Sequence, residues 1–514
     1  MAILTSLNID GDLIQDKGTG TASGTATGVV GSTAIFESAA SNTSRNWPMM
    51  AITYDSSNNK IVIAYEDAGN SNYGTAVVGT VSGTSISFGT PVPFDTAVRN
   101  VSIAFEATAN KVVIAYIDDS NSQKGTAIVG TVSGTSISFG TKVVFDTTSY
   151  CQDPQIIFFG TLHNKVVISY RGSGGSGYAI VGAVSGTSIS FGTTVVYGSG
   201  SGGYGSIAYD GNTGKAVIAY RDAANSYYGT AIVGTVSGTS ISFGTAVVFL
   251  STTQSSGGKP SPEIAFAASG VNKTVIIWGG DAYEAFPGYA IVGTIANPNS
   301  TTITFGSVVQ FASQNISDYS IVFDSGVLKF QVVYRDGYPS STANRAVAIP
   351  GTISGGTSIS FGTAVVGPSG NAQLIGTTYD STNDKIVTAY KDVSNSNYGT
   401  SLVFQTIGAA GEIEVDLATG NFFEVDLQNA SGPIETFTIT EALAGTQVQT
   451  FVLKITQGST ARQFNWSGLT NVKWPGSTPP VAMSTTNNAV DIYSFTTYDA
   501  GTTWYGEIVG QNFT

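Results

Sequence analysis

One ten-residue stretch occurs four times without a single change: VSGTSISFGT, at residues 81–90, 132–141, 184–193 and 236–245. Its phenylalanine also recurs in degraded copies, so that the full series is Phe88, Phe139, Phe191, Phe243, Phe305 and Phe361. Periods near 40–50 residues in a strand-rich chain are typical of β-propeller blades, each of which is one small sheet. The repeat therefore predicts that the 514 residues fold by repetition of a unit rather than around one large core.

Each unit contains four strand-like runs. In the first unit they are MMAITYD (49–55), KIVIAYED (60–67), YGTAVVGTV (73–81) and SISFGTPVPF (85–94). The second run is apolar at consecutive positions, which indicates a strand buried on both faces. The fourth run alternates serine with Ile86 and Phe88, which indicates one wetter face nearer the rim. The SGT tripeptide joins the third and fourth runs, with glycine supplying a positive φ.

A seventh unit supplies only three runs, at 374–380, 385–392 and 398–406, and no SISFGT follows it. The segment GSTAIFES (31–38) places Ala34, Ile35 and Phe36 where serine, isoleucine and phenylalanine are expected. A ring of blades leaves two open edges unless its first and last strands meet. We therefore predict an all-β, seven-bladed β-propeller over 31–406, in which 31–38 completes the last blade by pairing with 398–406. The alternative is that 31–38 is an unrelated strand.

The repeat stops near residue 407, and residues 407–514 contain no copy of it. Eight short strands are predicted there, near 411–416, 421–427, 435–440, 449–457, 461–466, 471–474, 489–497 and 503–509. This pattern favours a separate β-sandwich or jelly-roll-like domain. Residues 1–30, with the glycine- and threonine-rich run GTGTASGTATG at 18–28, are predicted to be an N-terminal arm or linker.

Composition excludes several classes of function. The net charge of −13 and the lack of a basic patch argue against nucleic acid as a partner. The sequence contains no run of about 18 apolar residues, so we predict no membrane insertion. The start of the chain has no basic region that would indicate a signal peptide. The single histidine, His163, falls in a turn between first and second strands. We expect no histidine-based catalysis or metal site on the opposite face, no metal and no cofactor.

The loops between second and third strands share one face of a propeller with the connections between blades. An acidic residue follows the second strand in most units: Asp67, Asp118, Asp222, Asp281, Asp336 and Asp392. Tyrosines lie beside these acids, at Tyr73, Tyr227, Tyr228, Tyr283, Tyr338 and Tyr398. Rigid aromatic rings among small hydrogen-bonding residues favour a sugar-binding surface. We take these six tyrosines, with Asp222 and Asp336, as candidate ligand-binding residues. The alternatives are ordinary turn residues that cap their own backbone, or a metal or catalytic site.

An enzyme is a weaker hypothesis. Arg171, Arg221 and Arg335 occupy equivalent places in three units, as in the arginine cluster of sialidases, and neighbouring acids could form a glycosidase pair. The three units do not aim these arginines at one point, so no catalytic residue is predicted. The stretch TYDAGTTW (497–504) resembles the Asp-box hairpin of sialidases. That resemblance implies a structural turn, with Asp499 as its cap and Trp504 packed beneath it.

The C-terminal segments NVKWPGSTPP (471–480) and AVDIYSFTTYDAGTTWYGEIVGQNF (489–513) resemble the closing domain of many tailed-phage virion proteins, as does GNFFEVDL (420–427). The resemblance implies a fibre, appendage or capsid-decorating subunit in the virion, assembled in the host cytoplasm, with other virion proteins as partners. It implies no catalytic residue. Independently of it, large aromatics favour burial, so we expect Trp474, Trp504, Tyr505 and Phe513 to be core residues.

The leading hypothesis is a non-enzymatic phage virion structural protein whose propeller binds host cell-surface glycans. The second hypothesis is a propeller glycosidase or lyase that acts on host polysaccharide. The third is a spacer or capsid decoration that binds no ligand. The sequence leaves the oligomeric state open.

Overall fold

A computed structural model of the protein covers most of residues 30–405 and shorter stretches on either side. The described residues are 17–18, 21–23, 30–38, 50–147, 150–160, 165–198, 202–251, 261–267, 272–279, 286–323, 329–337, 344–354, 356–362, 364–368, 370–383, 385–405, 412–416, 422–426, 436–440, 448–457, 472–475, 483–484, 486, 488–499 and 501–513. The chain divides into two compact units. One is Val29–Thr406, and the other combines Met1–Gly28 with Ile407–Thr514.

In the first unit, the repeats are numbered 1 to 7 along the chain. Repeats 1, 2, 3, 4 and 7 each form one antiparallel sheet, and repeats 5 and 6 share a nine-stranded sheet because Val309–Phe323 pairs with strands of both. The first strands are Met50–Asp55, Val98–Glu106, Gln152–Phe158, Gly202–Asp210, Glu263–Phe266, Val309–Phe323 and Ala372–Asp380. The second strands are Lys60–Asp67, Lys111–Asp118, Lys165–Arg171, Lys215–Asp222, Lys273–Trp278, Lys329–Asp336 and Lys385–Asp392. The third strands are Tyr73–Ser82, Lys124–Ser133, Gly177–Ser185, Tyr228–Ser237, Phe286–Thr294, Ala346–Ser354 and Tyr398–Gln405.

The fourth run of each repeat is interrupted. It forms a short strand at Ser85–Phe88, Ser136–Phe139, Ser188–Phe191, Ser240–Phe243, Thr304–Phe305 and Ser358–Phe361. A second short strand follows at Val92–Asp95, Val143–Val144, Val195–Gly198, Val247–Leu250 and Val365–Val366, and in repeat 5 its place is taken by the start of Val309–Phe323. Both pieces pair with the third strand. The prediction of one continuous strand over 85–94 is therefore wrong, and the break falls at Gly89.

Burial along these strands follows the sequence pattern. Residues 61–67 of the second strand are all buried, and the fourth strand alternates exposed Ser85 with buried Ile86. The glycine of the SGT turn has a φ of +59° at Gly83. These three features confirm the assignments made from the sequence. No helix among the described residues has the length and hydropathy needed to cross a bilayer.

The first strands close into a ring. Each contacts the first strand of the next repeat, and Ala372–Asp380 of repeat 7 contacts Met50–Asp55 of repeat 1. The third strand of repeat 7 is paired by an N-terminal strand, Ala34–Glu37, with Ala34 opposite Ser401 and Ile35 opposite Thr400. The predicted pairing of 31–38 with 398–406 is confirmed, and the hypothesis of an unrelated strand is wrong.

The register of this closing strand differs from the prediction. Val30 bridges Phe404, and the Gly31 amide donates to the carbonyl of Val403. In repeat 1, Phe88 and Gly89 make the equivalent contacts. Ala34–Glu37 therefore takes the place of Val92–Asp95 and not of Ser85–Phe88. Phe36 corresponds to Phe94. Its alignment with Phe88, the phenylalanine of VSGTSISFGT, is therefore wrong.

At six of the seven junctions, a glycine of one repeat packs against the backbone of a turn in the next repeat. A β-carbon at Gly89 would overlap the carbonyl oxygen of Thr135, which lies in the SGTS turn of the following repeat. The same approach occurs for Gly31 and Thr84, Gly140 and Thr187, Gly192 and Thr239, Gly244 and Thr301, and Gly306 and Thr357. Since only glycine permits backbone to approach backbone this closely, the ninth residue of VSGTSISFGT is fixed by the fourth residue of the next copy.

An aromatic triad fills six of the junctions between repeats. One ring follows the fourth strand of a repeat, and it contacts an aromatic of the second strand and the phenylalanine of the fourth strand in the next repeat. The triads are Phe36–Tyr65–Phe88, Phe94–Tyr116–Phe139, Phe145–Tyr170–Phe191, Tyr197–Tyr220–Phe243, Phe249–Trp278–Phe305 and Phe311–Tyr334–Phe361, with ring centroids 5.3–5.8 Å apart. Inclined pairs at this distance add about 0.5–1.5 kcal/mol beyond burial.

The second unit contains two sheets of mixed direction. The larger joins Lys17–Gly18, Phe422–Asp426, Gln449–Thr456, Val490–Thr497, Trp504–Phe513 and Val472–Lys473, in that spatial order. The smaller joins Thr21–Ser23, Glu412–Asp416 and Thr436–Thr440. Seven of the eight predicted C-terminal strands are confirmed, and the one near 461–466 lies outside the described residues. Parallel pairs such as 422–426 with 452–456 depart from an antiparallel jelly-roll. Parts of the predicted N-terminal arm belong to these sheets.

The contact between repeats generates a prediction about stability. Gly140→Ala places a methyl group against the Thr187 carbonyl, so we expect the free energy of unfolding to fall by about 2 kcal/mol or more. The matched control is Gly134→Ala in the same copy of the repeat. Its φ is +60° but no atom lies within 4 Å of the added methyl, so about 1 kcal/mol of backbone strain is expected. Equal losses in urea unfolding would contradict the proposed role of Gly140.

Candidate functional site

The loops that follow the second strands share one backbone conformation in four repeats. Each forms a short 3₁₀ turn, at Ala68–Asn70, Asp119–Asn121, Ala223–Asn225 and Val393–Asn395. A serine in the left-handed region ends each turn, and the next residue is also left-handed: Asn72, Gln123, Tyr227 and Asn397. Repeat 3 departs from this conformation, with Gly174 at φ 78° inside its turn at Ser173–Gly175. The face predicted to vary is therefore partly a repeated turn.

The acidic residues at these loops cap their own turns. The Asp67 carboxylate accepts a hydrogen bond from the Asn70 amide at 3.0 Å, and Asp222 and Asp392 accept from Ala224 and Ser394 at 3.1 and 3.0 Å. Asp336 accepts from the Arg345 amide at 2.8 Å. The alternative of ordinary turn-capping residues is confirmed for Asp67, Asp222 and Asp392, whereas Asp118 makes no such cap and Asp336 binds an amide nine residues further along the chain. A ligand contact by Asp222 or Asp336 stays a prediction.

The candidate tyrosines lie in separate places. Tyr73, Tyr228 and Tyr398 begin the third strands of repeats 1, 4 and 7, each paired with the acid that caps the turn, and each is half-buried. Tyr73 and Tyr398 flank the junction of repeats 7 and 1, whereas Tyr228 and Tyr227 lie three repeats away from either of them. Tyr283, Tyr338, Asp281 and His163 lie outside the described residues.

Tyr227 combines exposure with an unfavourable backbone conformation. Its side chain is 39% exposed, and its φ is +61° where asparagine or glutamine stands in the equivalent turns. A bulky residue in the left-handed region costs about 1 kcal/mol or more, and such strain clusters at functional sites. The guanidinium carbon of Arg221 lies 5.8 Å from the centre of the Tyr227 ring, within the range of a cation–π interaction.

A second exposed tyrosine begins a chain of polar contacts in repeat 3. Tyr150 is 47% exposed, has a φ of +93°, and accepts a hydrogen bond from Gln152 Nε2 at 2.6 Å. Gln152 Oε1 in turn accepts from Arg171 Nη1 at 2.8 Å. Tyr150 comes from the connection between repeats 2 and 3, Gln152 begins the first strand of repeat 3, and Arg171 ends its second strand.

Asp153 connects this chain to repeat 4. It lies in a bulge of the first strand, where the register slips between Gln152 and Gln155, and its Oδ1 accepts from Asn100 Nδ2 of repeat 2 at 2.8 Å. Burial raises the pKa of Asp153 to about 6, against the opposing effect of the Arg171 and Arg221 guanidiniums. We use the term tyrosine–arginine cluster for Tyr150, Gln152, Asp153 and Arg171 of repeat 3 together with the Arg221–Tyr227 pair of the neighbouring repeat 4.

The cluster contains polar atoms that its own residues leave unsatisfied. Arg171 Nε and Asp153 Oδ2 are buried and have no hydrogen-bond partner among the described residues. Buried atoms of this kind also occur elsewhere among the described residues, for example Trp278 Nε1, and a ligand or an ordered water can satisfy them. A hydroxyl group that reaches both atoms could accept from Nε and donate to Oδ2, because it carries one donor and two acceptor sites.

Arg335 belongs to a different group. It is 6% exposed, and its Nη1 lies 3.4 Å from Asp318 Oδ2. Asp318 Oδ1 accepts from the Leu374 amide, and burial lowers the pKa of the nearby Lys391 against the opposing effect of Asp318. The three arginines noted in the sequence therefore do not converge: two belong to the tyrosine–arginine cluster and Arg335 is a buried structural residue.

Sequence reasoning missed Tyr150, Gln152 and Asp153. Tyr150 lies just before the first strand of repeat 3, and Gln152 and Asp153 begin that strand. The sequence of this stretch matches no other repeat, so the period gave no signal for them. The pairing of Arg171 with Gln152 is the only part that spacing could have suggested, since both residues flank the same strand pair. No group of three or more histidine, cysteine, aspartate or glutamate residues in the described part of the chain could hold a metal ion.

Many solved structures are similar to this chain, and three of them serve as examples. The BP39L lectin from Burkholderia pseudomallei matches with a TM-score of 0.51 and 9% identity, over 71% of this chain and 99% of that one. The fold is a β-propeller. AofleA from Arthrobotrys oligospora matches the propeller with a TM-score of 0.41, 10% identity and coverage of 69% and 99%. The NanB sialidase from Streptococcus pneumoniae matches with a TM-score of 0.40 and 10% identity, over 73% of this chain and 70% of that one. No protein-family model and no curated protein matches the chain.

The buried carboxyl of Asp153 generates a prediction about pH dependence. Its folded-state pKa of about 6 lies above the ordinary value of 3.8, so its contribution to stability is full below pH 4 and is lost as the pH rises through 6. We expect wild type to lose about 1–2 kcal/mol more than Asp153→Asn between pH 4 and pH 7. Urea unfolding of both proteins at each pH gives this difference, because the other titrating groups cancel. Parallel profiles would refute the raised pKa.

Proposed function

We propose that the protein is a non-enzymatic glycan-binding protein that uses the tyrosine–arginine cluster on its propeller. The observation that carries the proposal is the presence, in the neighbouring repeats 3 and 4, of two exposed, left-handed tyrosines, one linked through Gln152 to Arg171 by hydrogen bonds and the other in cation–π contact with Arg221. Tyrosine rings supply rigid surface for the apolar face of a sugar, and the polar groups suit its hydroxyls. The fold shared with a lectin supports the same class of ligand.

The propeller of this proposal has seven blades. Repeats 1 to 7 would each be one blade, with Ala34–Glu37 as the outermost strand of the seventh. The successive contacts of the first strands and the return from repeat 7 to repeat 1 support this count. Such a closed ring fixes the first strands relative to one another, and Asp153 lies in one of them with Tyr150 just before it. Residues 407–514 would form a sandwich domain that docks to other subunits.

We assign the protein to a phage virion, as a fibre, appendage or capsid-decorating subunit assembled in the host cytoplasm. The support is the sequence of the C-terminal domain, in which Trp-Pro-Gly at 474–476 is followed by the Asp-box at 497–504. On this assignment other virion proteins are its partners, and the glycan belongs to the surface of the host cell. The domain would place the propeller at the particle surface, so that the cluster meets polysaccharide before other contacts form.

Binding to a panel of bacterial surface polysaccharides and lipopolysaccharide oligosaccharides tests the cluster. We expect wild type to bind at least one glycan, and Tyr150→Ala/Tyr227→Ala to weaken that binding tenfold or more, about 1.4 kcal/mol. Val248→Ala is the matched control, because Val248 is 38% exposed in repeat 4 but lies on an outer strand. Unchanged affinity in the double variant would refute the site.

The same glycan separates binding from hydrolysis. The raised pKa of Asp153 beside two guanidiniums is the observation that favours an acid catalyst. Binding alone predicts that wild type releases no reducing ends from the polysaccharide. Release that disappears in Asp153→Asn would replace this proposal with a glycosidase.

The virion assignment predicts that the full chain sediments with intact phage particles. Mass spectrometry of purified particles and gold labelling with antibodies to residues 50–147 measure this directly. We expect labelling at the particle surface. A chain that stays wholly in the lysate supernatant, while known capsid proteins of the same phage sediment, would contradict the assignment and leave the glycan site untouched.

A further inference from the structure

The C-terminal domain carries a groove of about 760 Å³ that the glycan site on the propeller does not use. Its walls include Lys473, Trp474, Thr496, Tyr498, Tyr505 and Glu507. Two of the aromatic rings are exposed to solvent, Tyr498 by 58% and Tyr505 by 47%. The expectation that Tyr505 and Phe513 are core residues is therefore wrong, since Phe513 is 53% exposed, whereas Trp474 and Trp504 are buried as predicted.

Strand pairing explains why these side chains meet. Tyr505 lies opposite Thr496 in the antiparallel pair and opposite Lys473 in a short parallel pair on its other side. Alternation along the strand buries Trp504 and exposes Tyr505 and Glu507. Trp474 seats against Gly506, where a β-carbon would lie 2.7 Å from the indole ring. Glycine at 506 therefore lets the tryptophan form a wall of the groove instead of being pushed outward.

The Asp-box hairpin holds the exposed rings in place. Thr497 Oγ1 donates to Asp499 Oδ1 at 2.9 Å and accepts from the Gly501 amide at 2.9 Å. Asp499 Oδ1 also accepts from the Thr503 amide at 2.8 Å, and Trp504 packs beneath on Phe451 at 5.3 Å, which confirms both roles predicted for the hairpin. Tyr498 and Tyr505 stand at the two ends of this rigid turn. Their ring centres lie 5.8 Å apart at an angle of 63°.

We propose that this groove binds a neutral pyranose sugar, as a second glycan site independent of the propeller. Two inclined, fixed aromatic rings offer apolar surface without an ordering cost on binding. Lys473 and Glu507 lie on the same rim with opposite charges, so the groove carries no net charge to attract an anionic sugar or a phosphate. A lipid or apolar peptide would remove both charged groups from water without replacing their hydrogen bonds. A neutral sugar satisfies them through its hydroxyls.

The test uses the full chain and three neutral probes: maltotetraose, cellotetraose and chitotetraose. Titration calorimetry should show that wild type binds at least one of them. Tyr498→Ala and Tyr505→Ala should each weaken that binding tenfold or more, whereas Tyr498→Phe and Tyr505→Phe should keep the affinity within about threefold. Ile508→Ala is the matched control, because Ile508 is 45% exposed on the same strand but does not line the groove.

The propeller variant Tyr150→Ala/Tyr227→Ala separates the two sites. It should bind the neutral probes as wild type does, even where it has lost the polysaccharide recognised by the propeller. Failure of wild type to bind any of the three probes would overturn the groove proposal, as would binding that survives both alanine variants. Neither result tests the tyrosine–arginine cluster. Loss of glycan binding at that cluster is measured separately, with the polysaccharide panel.

Discussion

The propeller depends on the close approach of two backbones at six of the seven junctions between repeats. A glycine after one fourth strand lies against the threonine carbonyl of the next SGTS turn, and an aromatic triad packs beside it at six junctions. These contacts require glycine, threonine and phenylalanine at fixed places in successive copies. The fidelity of VSGTSISFGT is therefore the consequence of a contact between neighbours, since a change in one copy would break its fit to the copies on both sides. Chemistry on a ligand plays no part in it.

The proposed site lies away from the repeated motif. Tyr150 precedes the first strand of repeat 3, Gln152 and Asp153 begin it, and the sequence of this stretch differs from that of the other repeats. Even among the loops that share one 3₁₀ turn, repeat 4 replaces asparagine or glutamine with Tyr227 at a left-handed position. Repeat 3 contributes the exposed end of the same cluster. The tyrosine–arginine cluster therefore differs from the rest of this surface through a few side chains in two neighbouring repeats, 3 and 4.

Much of the fold could be predicted because the repeat fixes period and burial together. The strand positions, the doubly buried second strand and the closing N-terminal strand all follow from Phe88 and its copies. The register of that closing strand could not be predicted. Phe36 is the same residue type as Phe88, but it occupies the position in repeat 7 that Phe94 occupies in repeat 1. Only part of the cluster could be predicted from the sequence. Arg171 and Arg221 occupy the same position in their repeats, but Asp153 lies in a bulge that has no sequence signature. Tyr505 was misassigned because its exposure depends on a two-residue parallel pair with Lys473.

The central claim is that a saccharide binds between repeats 3 and 4, at the tyrosine–arginine cluster. A crystal structure of the full chain soaked with an oligosaccharide prepared from the recognised polysaccharide tests it most directly. We expect sugar density against Tyr150 or Tyr227, with a hydroxyl group of the sugar within hydrogen-bond distance of Arg171 or Asp153. Sugar density at the junction of repeats 7 and 1, beside Tyr73 and Tyr398, with none at the cluster, would contradict it.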